Sequence, residues 1–381
     1  MFKNYLLGIY AVLLLSQTVG LQAQSSIEHH KVYYEEGRFA GWPANHGIWN
    51  YGNEIVVGFV ASNHQARGGH TYDHLIPRDK YGRSLDGGLT WTIEDAYHRG
   101  QTGWRYNNRL ADDVKVEPTT LTEKIDFSHP DLALTFLRQT NSTGPSHFYY
   151  SYNKGKQWNG PYMLPNFGTK GVATRTDYIV DGPDRLTAFL TVAKSNEKEG
   201  RVLCVRTEDG GLTWNKLGFL GPEPEKFEIM PSSVRIGENG FLTLVRARTV
   251  DSKSSIASYV SKDDGHSWKK IDAAVEDTGK GGSPPALVRM QNNDLALGYI
   301  VRQPTGSRVC VKFSSDDGQT WGPEIILRQD GATTDAGYPK MIQRPDGKLV
   351  IVYYWNHAIL RPESPYRYIA ATVFDPVEVQ R

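Results

Sequence analysis

Residues 207–214 read TEDGGLTW, and the same frame returns as SLDGGLTW at 84–91, SYNKGKQW at 151–158, SKDDGHSW at 261–268 and SSDDGQTW at 314–321. The common form is Ser/Thr-x-Asp-x-Gly-x-x-Trp, with Asn153 standing once for the aspartate. Successive copies begin 67, 56, 54 and 53 residues apart. A period near fifty is the signature of a repeat architecture and outranks any local reading. The frame has a physical logic. The short polar side chain at its third position accepts hydrogen bonds from turn amides. The glycine two residues on permits a positive φ, and the tryptophan packs between neighbouring units.

Apolar runs of strand length lie ahead of the copies, at Glu54–Phe59, Leu132–Phe136, Leu186–Val192, Phe241–Arg248 and Leu295–Arg302. Each follows a second short apolar run and a polar turn. Four short strands per fifty residues make one propeller blade. After the last copy, Tyr338–Trp355 gives another strand pair around Pro345-Asp346-Gly347, and Lys31–Glu35 supplies a closing strand. The expectation is an all-β fold: a six-bladed β-propeller of four-stranded antiparallel blades. It occupies residues 24–381 as a single domain, with the last blade stitched from both ends of the chain. A seven-bladed ring would need a blade with no visible signature.

Met1–Ala23 reads as a signal peptide. Lys3 gives a positive start, and the apolar run Tyr5–Leu15 is shorter than the ~18–20 residues of a membrane span. A secreted or periplasmic protein with no membrane span is therefore expected. Lysines and arginines number 43 against 42 aspartates and glutamates. Such balance removes the electrostatic case for a nucleic-acid partner. Cys204 and Cys310 precede the third and fifth copies. A full blade separates them, beyond disulfide reach, so two free, buried thiols are expected.

Five such turns with six-blade arithmetic resemble the Asp-box (bacterial neuraminidase repeat) sialidase superfamily, across essentially the whole mature chain. In that superfamily the Asp box lies on the blade periphery, and it also occurs in propellers that are not sialidases. It therefore speaks for scaffold and not for activity.

Propellers bind ligands where their innermost strands begin. Those starts are read at Asn45-His46-Gly47, His129-Pro130-Asp131, Arg175-Thr176-Asp177, Glu228-Ile229-Met230-Pro231, Gly282-Ser283-Pro284-Pro285 and Gly337-Tyr338-Pro339. Residues 177, 230 and 284 stand 32 or 33 positions before the aspartate of their Asp box, which supports the equivalence.

The resemblance implies a tyrosine nucleophile assisted by a carboxylate, arginines gripping a substrate carboxylate, a separate proton donor and a retaining course. Tyr338, in DAGYPKMIQRPDGKLVIVYYW at 335–355, matches the last-blade segment that carries the nucleophile. Glu228 stands where the family places the carboxylate partner. Arg246 and Arg248, alternating with Val245 and Ala247, occupy the place of the second arginine; Arg302 is a third, with Arg308 as its competitor. Arg38, in GRFAGWPANHG at 37–47, resembles the first arginine, although three extra residues precede the proline. A surface pair with Glu35 or Glu36 is its other reading.

In the family the proton donor comes from the first-blade loop, here residues 62–83, which offers His70, Asp73, His74 and Asp79. Asp73 is the choice. Asp131 and Asp177 read as binders of substrate hydroxyls, with Arg175 between them. His46 and His129 read as donors or acid/base groups, and Trp42 and Trp49 as faces for a sugar. No cofactor or metal is called for, because His64, His70 and His74 share one Gly-rich loop without metal-site spacing. The functional expectation is an exported, exo-acting glycoside hydrolase that removes a terminal acidic sugar from a glycan partner. A lyase acting on uronate-containing glycans and a non-catalytic carbohydrate-binding propeller are the alternatives.

Overall fold

Six antiparallel sheets succeed one another along the chain in a computed structural model that describes residues 27–66, 70–74, 77–96, 116–304, 306–356 and 366–381. The leader expected at 1–23 lies outside the described residues. In the third, fourth and fifth sheets the strands run in simple sequence order, for example Phe227–Ile236, Gly240–Arg248, Ser254–Ser261 and Lys269–Val275 in the fourth. The sixth joins Gly337–Gln343, Leu349–Trp355 and Tyr368–Phe374 to the N-terminal strand Ile27–Tyr33. Ile27 pairs with Phe374, so both chain ends close the ring. The closing strand begins four residues earlier than its sequence reading at Lys31.

The architecture is the six-bladed propeller. Its closure is visible in the packing, because each pair of adjacent blades encloses its own apolar cluster, including the pair formed by the sixth blade and the first. This is why the second strands LTAFLTVA, LALGYIV and LVIVYYW are buried along their whole length. Covered on both faces, such a strand needs no polar alternation. Cys204 and Cys310 are free and buried in two different clusters, and burial pushes both thiols well above the ordinary range.

The five Asp boxes join the last two strands of their blades. In each, the Ser or Thr hydroxyl accepts from the glycine amide four residues on: Gly88, Gly155, Gly211, Gly265 and Gly318. The carboxylate, or the Asn153 amide, accepts from the backbone four residues beyond itself. Hydrogen bonds from Ser267 hold the Asp263 carboxyl down at about 2. Every box tryptophan lies in or against an interblade cluster.

Two blades depart from four strands. In the first, Arg38–Gly41 and Ile48–Tyr51 both pair with Glu54–Asn63, separated by a 3-10 turn at Pro43–Asn45. In the second, only Ala133–Arg138, Ser146–Ser151 and Asn159–Met163 appear among the described residues. No described helix is long and apolar enough to cross a membrane.

Candidate functional site

Three blades place a non-glycine residue in the left-handed region directly before a proline: Trp42 (φ 63), Met230 (φ 57) and Tyr338 (φ 54). Such a conformation costs about 1–3 kcal/mol at a non-glycine residue and persists only where the surroundings over-determine it. In the fourth and sixth blades it coincides with a bulge. The register jumps between Ile229 and Ser232, and between Gly337 and Lys340. Met230 and Tyr338 then meet Ala44 and Ile229 in an apolar cluster where the first, fourth and sixth blades converge.

Above this floor lies a cavity of about 440 Å³, within the usual range of small-molecule sites. Its lining is cationic and aromatic: Arg138, Arg175 and Arg246 face Trp42, Tyr72 and Tyr338, with His70, His74 and Asn45 between. Tyr338 is the most constrained. Arg246 donates from Nη1 to its phenol oxygen at 3.3 Å. The Arg246 and Arg302 guanidinium carbons lie 5.8 and 5.5 Å from its ring centre. Its backbone amide donates to the Ser283 hydroxyl. Arg246 is fixed in turn by donation from Nε to the Gly281 carbonyl at 3.1 Å. Arg302 sits behind the cavity, buried, donating to the Ala336 carbonyl at 2.7 Å.

His70 of the lining is backed by a carboxylate that does not itself line the cavity. His70 Nδ1 lies 2.7 Å from Asp335 Oδ1. Tyr354 donates its hydroxyl to the same oxygen at 2.8 Å, and Arg367 donates Nε to Oδ2 at 3.1 Å. Burial pushes the Asp335 carboxyl up, but the hydrogen bond from His70 and the charge of Arg367 outweigh it, leaving it below the ordinary carboxylate value. Trp42 meets His70 edge-on at 5.0 Å and Tyr72 at 5.1 Å. Asn45 is 4% exposed, and its Oδ1 has no hydrogen-bond partner among the described residues.

The family described as BNR repeat-like domain matches residues 92–351. The chain belongs to that family. Solved structures share the fold of this BNR repeat-like protein at low identity. A protein of unknown function from Dyadobacter fermentans is 21% identical, with TM-score 0.66 over 92% of this chain and 99% of the other. The NanB sialidase of Streptococcus pneumoniae is 11% identical, with TM-score 0.57 over 91% and 69%. An alpha-L-arabinanase of Penicillium chrysogenum is 13% identical, with TM-score 0.56 over 88% and 96%. No match was found among the curated proteins. The BNR repeat-like chain therefore has the sialidase-like propeller fold of glycoside hydrolases.

Of the residues singled out from sequence, Tyr338, Arg246, Arg175 and Trp42 line one cavity. Glu228 does not. Its carboxylate accepts from Tyr259 at 2.5 Å and Lys270 at 2.8 Å, on the third and fourth strands of its own blade. The bulge at Met230 gives the axial position to that residue instead. Asp73 is flanked by Tyr72 and His74, which line the cavity while Asp73 does not. Asp131 stands at the far end of the second blade, where the loop leads into the blade's second strand, 3.8 Å from Lys154. The segment His129–Asp131 is thus not the start of an inner strand. The cavity end of that blade carries Arg138, Gln139, Thr140 and Asn141.

Asp177 is buried away from the cavity lining, where the Ser233 hydroxyl donates to it at 2.8 Å. Burial pushes its carboxyl up to about 6, opposed by the charge of Lys340. His46 is fully buried, 2.8 Å from Asp79. Arg38 bonds Asn63 and approaches Glu35 at 4.0 Å, which is its surface-pair reading. Arg248 lies outside the lining, and Arg308 donates to Glu324 at 2.9 Å. Trp49 packs between the first and second blades, against Trp158.

Proposed function

We propose that this protein is an exo-acting glycoside hydrolase that removes a terminal acidic sugar from a glycan, exported as the leader at 1–23 implies. The observation that carries the reading is Tyr338, held in a strained backbone conformation beside two guanidinium groups in a cavity with three arginines. Guanidinium forks match a carboxylate in shape and charge. Arg138, Arg175 and Arg246 would hold the carboxylate of the sugar. The Asn45 oxygen, without a hydrogen-bond partner among the described residues, would accept from a hydroxyl, and Trp42 and Tyr72 would cover an apolar face. The phenolate of Tyr338 would be the form that attacks an anomeric carbon. The test is turnover of glycosides of N-acetylneuraminic and glucuronic acid by wild type and Tyr338→Phe. Turnover should fall by three or more orders of magnitude in the variant, with its melting temperature unchanged. Equal rates in the two proteins would sink the mechanism.

A second reading is favoured by the commitment of Glu228 to Tyr259 and Lys270. An elimination on a uronate needs no carboxylate beside the tyrosine, only a base, a proton donor and a neutralised carboxylate. Ultraviolet absorbance from an unsaturated product would replace hydrolysis by this reaction.

A further inference from the structure

We infer that His70, oriented by Asp335, is the group that passes the proton to and from the glycosidic oxygen in this cavity; this rests on the hydrolase reading above. Two nitrogens of one ring are separated in role. Nδ1 is 2.7 Å from Asp335, a carboxylate that Tyr354 and Arg367 also hold in place. The ring lines the cavity, its side chain is 42% exposed, and Nε2 has no hydrogen-bond partner among the described residues. The edge contact with Trp42 at 5.0 Å fixes the ring plane. A carboxylate on Nδ1 sets the tautomer and orientation of the ring and leaves Nε2 to exchange protons. Among the described residues no carboxylate lines this cavity, and Asp73 is not in its lining.

The chemistry balances with water as the only co-reactant. In the first step the Tyr338 phenolate oxygen bonds to the anomeric carbon. The bond from that carbon to the leaving oxygen breaks, and the leaving oxygen takes its proton from Nε2. In the second step water gives a proton to the neutral Nε2, and its oxygen displaces the phenolate. Asp335 touches no substrate; it is a positioning residue.

The test compares His70→Gln with wild type on two kinds of aglycone: the 4-nitrophenyl and the methyl glycosides of N-acetylneuraminic and glucuronic acid. A 4-nitrophenolate leaves without a proton, whereas methoxide does not. On the methyl glycosides kcat/KM should fall by roughly 10²–10⁴-fold, the usual worth of such proton transfer. On the 4-nitrophenyl glycosides the fall should stay below about tenfold. Asp335→Asn should shift the limb of the pH profile that His70→Gln abolishes. Equal losses on the two aglycones would overturn the assignment of His70 while leaving the hydrolase reading intact. Wild type that hydrolyses none of the four would overturn both.

Discussion

The Asp boxes at the rim and the strand starts at the axis are both repeated positions, yet they have diverged in opposite ways. The five rim turns keep one hydrogen-bond scheme, hydroxyl to glycine amide and carboxylate to the backbone four residues on. Three of the axial positions share a backbone device and differ in side chain: Trp42, Met230 and Tyr338, all left-handed and all before proline. The rim uses repetition because every blade must satisfy the same orphan amides. At the axis, side chains from five different blades line one cavity and each faces it from its own side. Within a repeat protein, sameness marks scaffold and departure from sameness marks the site.

That contrast can be broken by mutation. The largest effect belongs to the axis. Tyr338→Phe removes one hydroxyl and should abolish turnover without a change in stability, the opposite of any rim substitution. The next belongs to Trp158, buried at 3% between the first and second blades. Trp158→Ala should cost about 3–5 kcal/mol of unfolding free energy, read from denaturant midpoints, with kcat/KM unaltered at a temperature where the fold persists.

Smaller still is Asp263→Ala, which removes acceptors for the Ser267 amide and hydroxyl. A loss of about 1 kcal/mol is expected for such an exposed network. Asp263→Asn should cost less, because Asn153 already performs the amide half of the task in the second blade. The stability that Asp263 contributes should be fully present above its unfolded value near 4. It should be lost as pH falls towards 2, since its folded carboxyl is held at about 2. A Tm series from pH 5 to 2 checks the sign.

A separate effect belongs to the buried Asp177. Burial raises the Asp177 carboxyl to about 6, so ionising it costs the folded state more than the unfolded one. Its contribution to stability should decline as pH rises from about 4 to 6. Asp177→Asn should flatten that window in urea titrations. A profile unchanged by the substitution would show that other groups control it.

Much of the scaffold was legible in the sequence because the Asp box is local. Its turn, its tryptophan and its spacing all act within one blade. In the second blade the spacing of 67 residues before the box carries no mark of the inner end, and Asp131 reads as an axial residue although it lies beside Lys154 of the Asp box. Glu228 turns its carboxylate to Tyr259 and Lys270 rather than into the cavity. A one-residue bulge at Met230 decides which side chain faces the axis, and a bulge leaves no mark in hydrophobic patterning. Asn45 stood in a strand start that was read, but an unpartnered oxygen can be seen only in three dimensions. The pairing of His70 with Asp335 spans 265 positions, and nothing in either local segment announces the other.

The bond between Ile27 and Phe374 strands has a consequence for how the molecule is made. Among the described strands, Ile27–Tyr33 is made first and its partner Tyr368–Phe374 last, so during synthesis the earlier strand keeps an unpaired edge until the partner appears. Such an edge is an aggregation hazard, and closing a contact across nearly the full chain is entropically slow. Assembly should therefore finish in one late step, when the C-terminal strand arrives and the annulus locks.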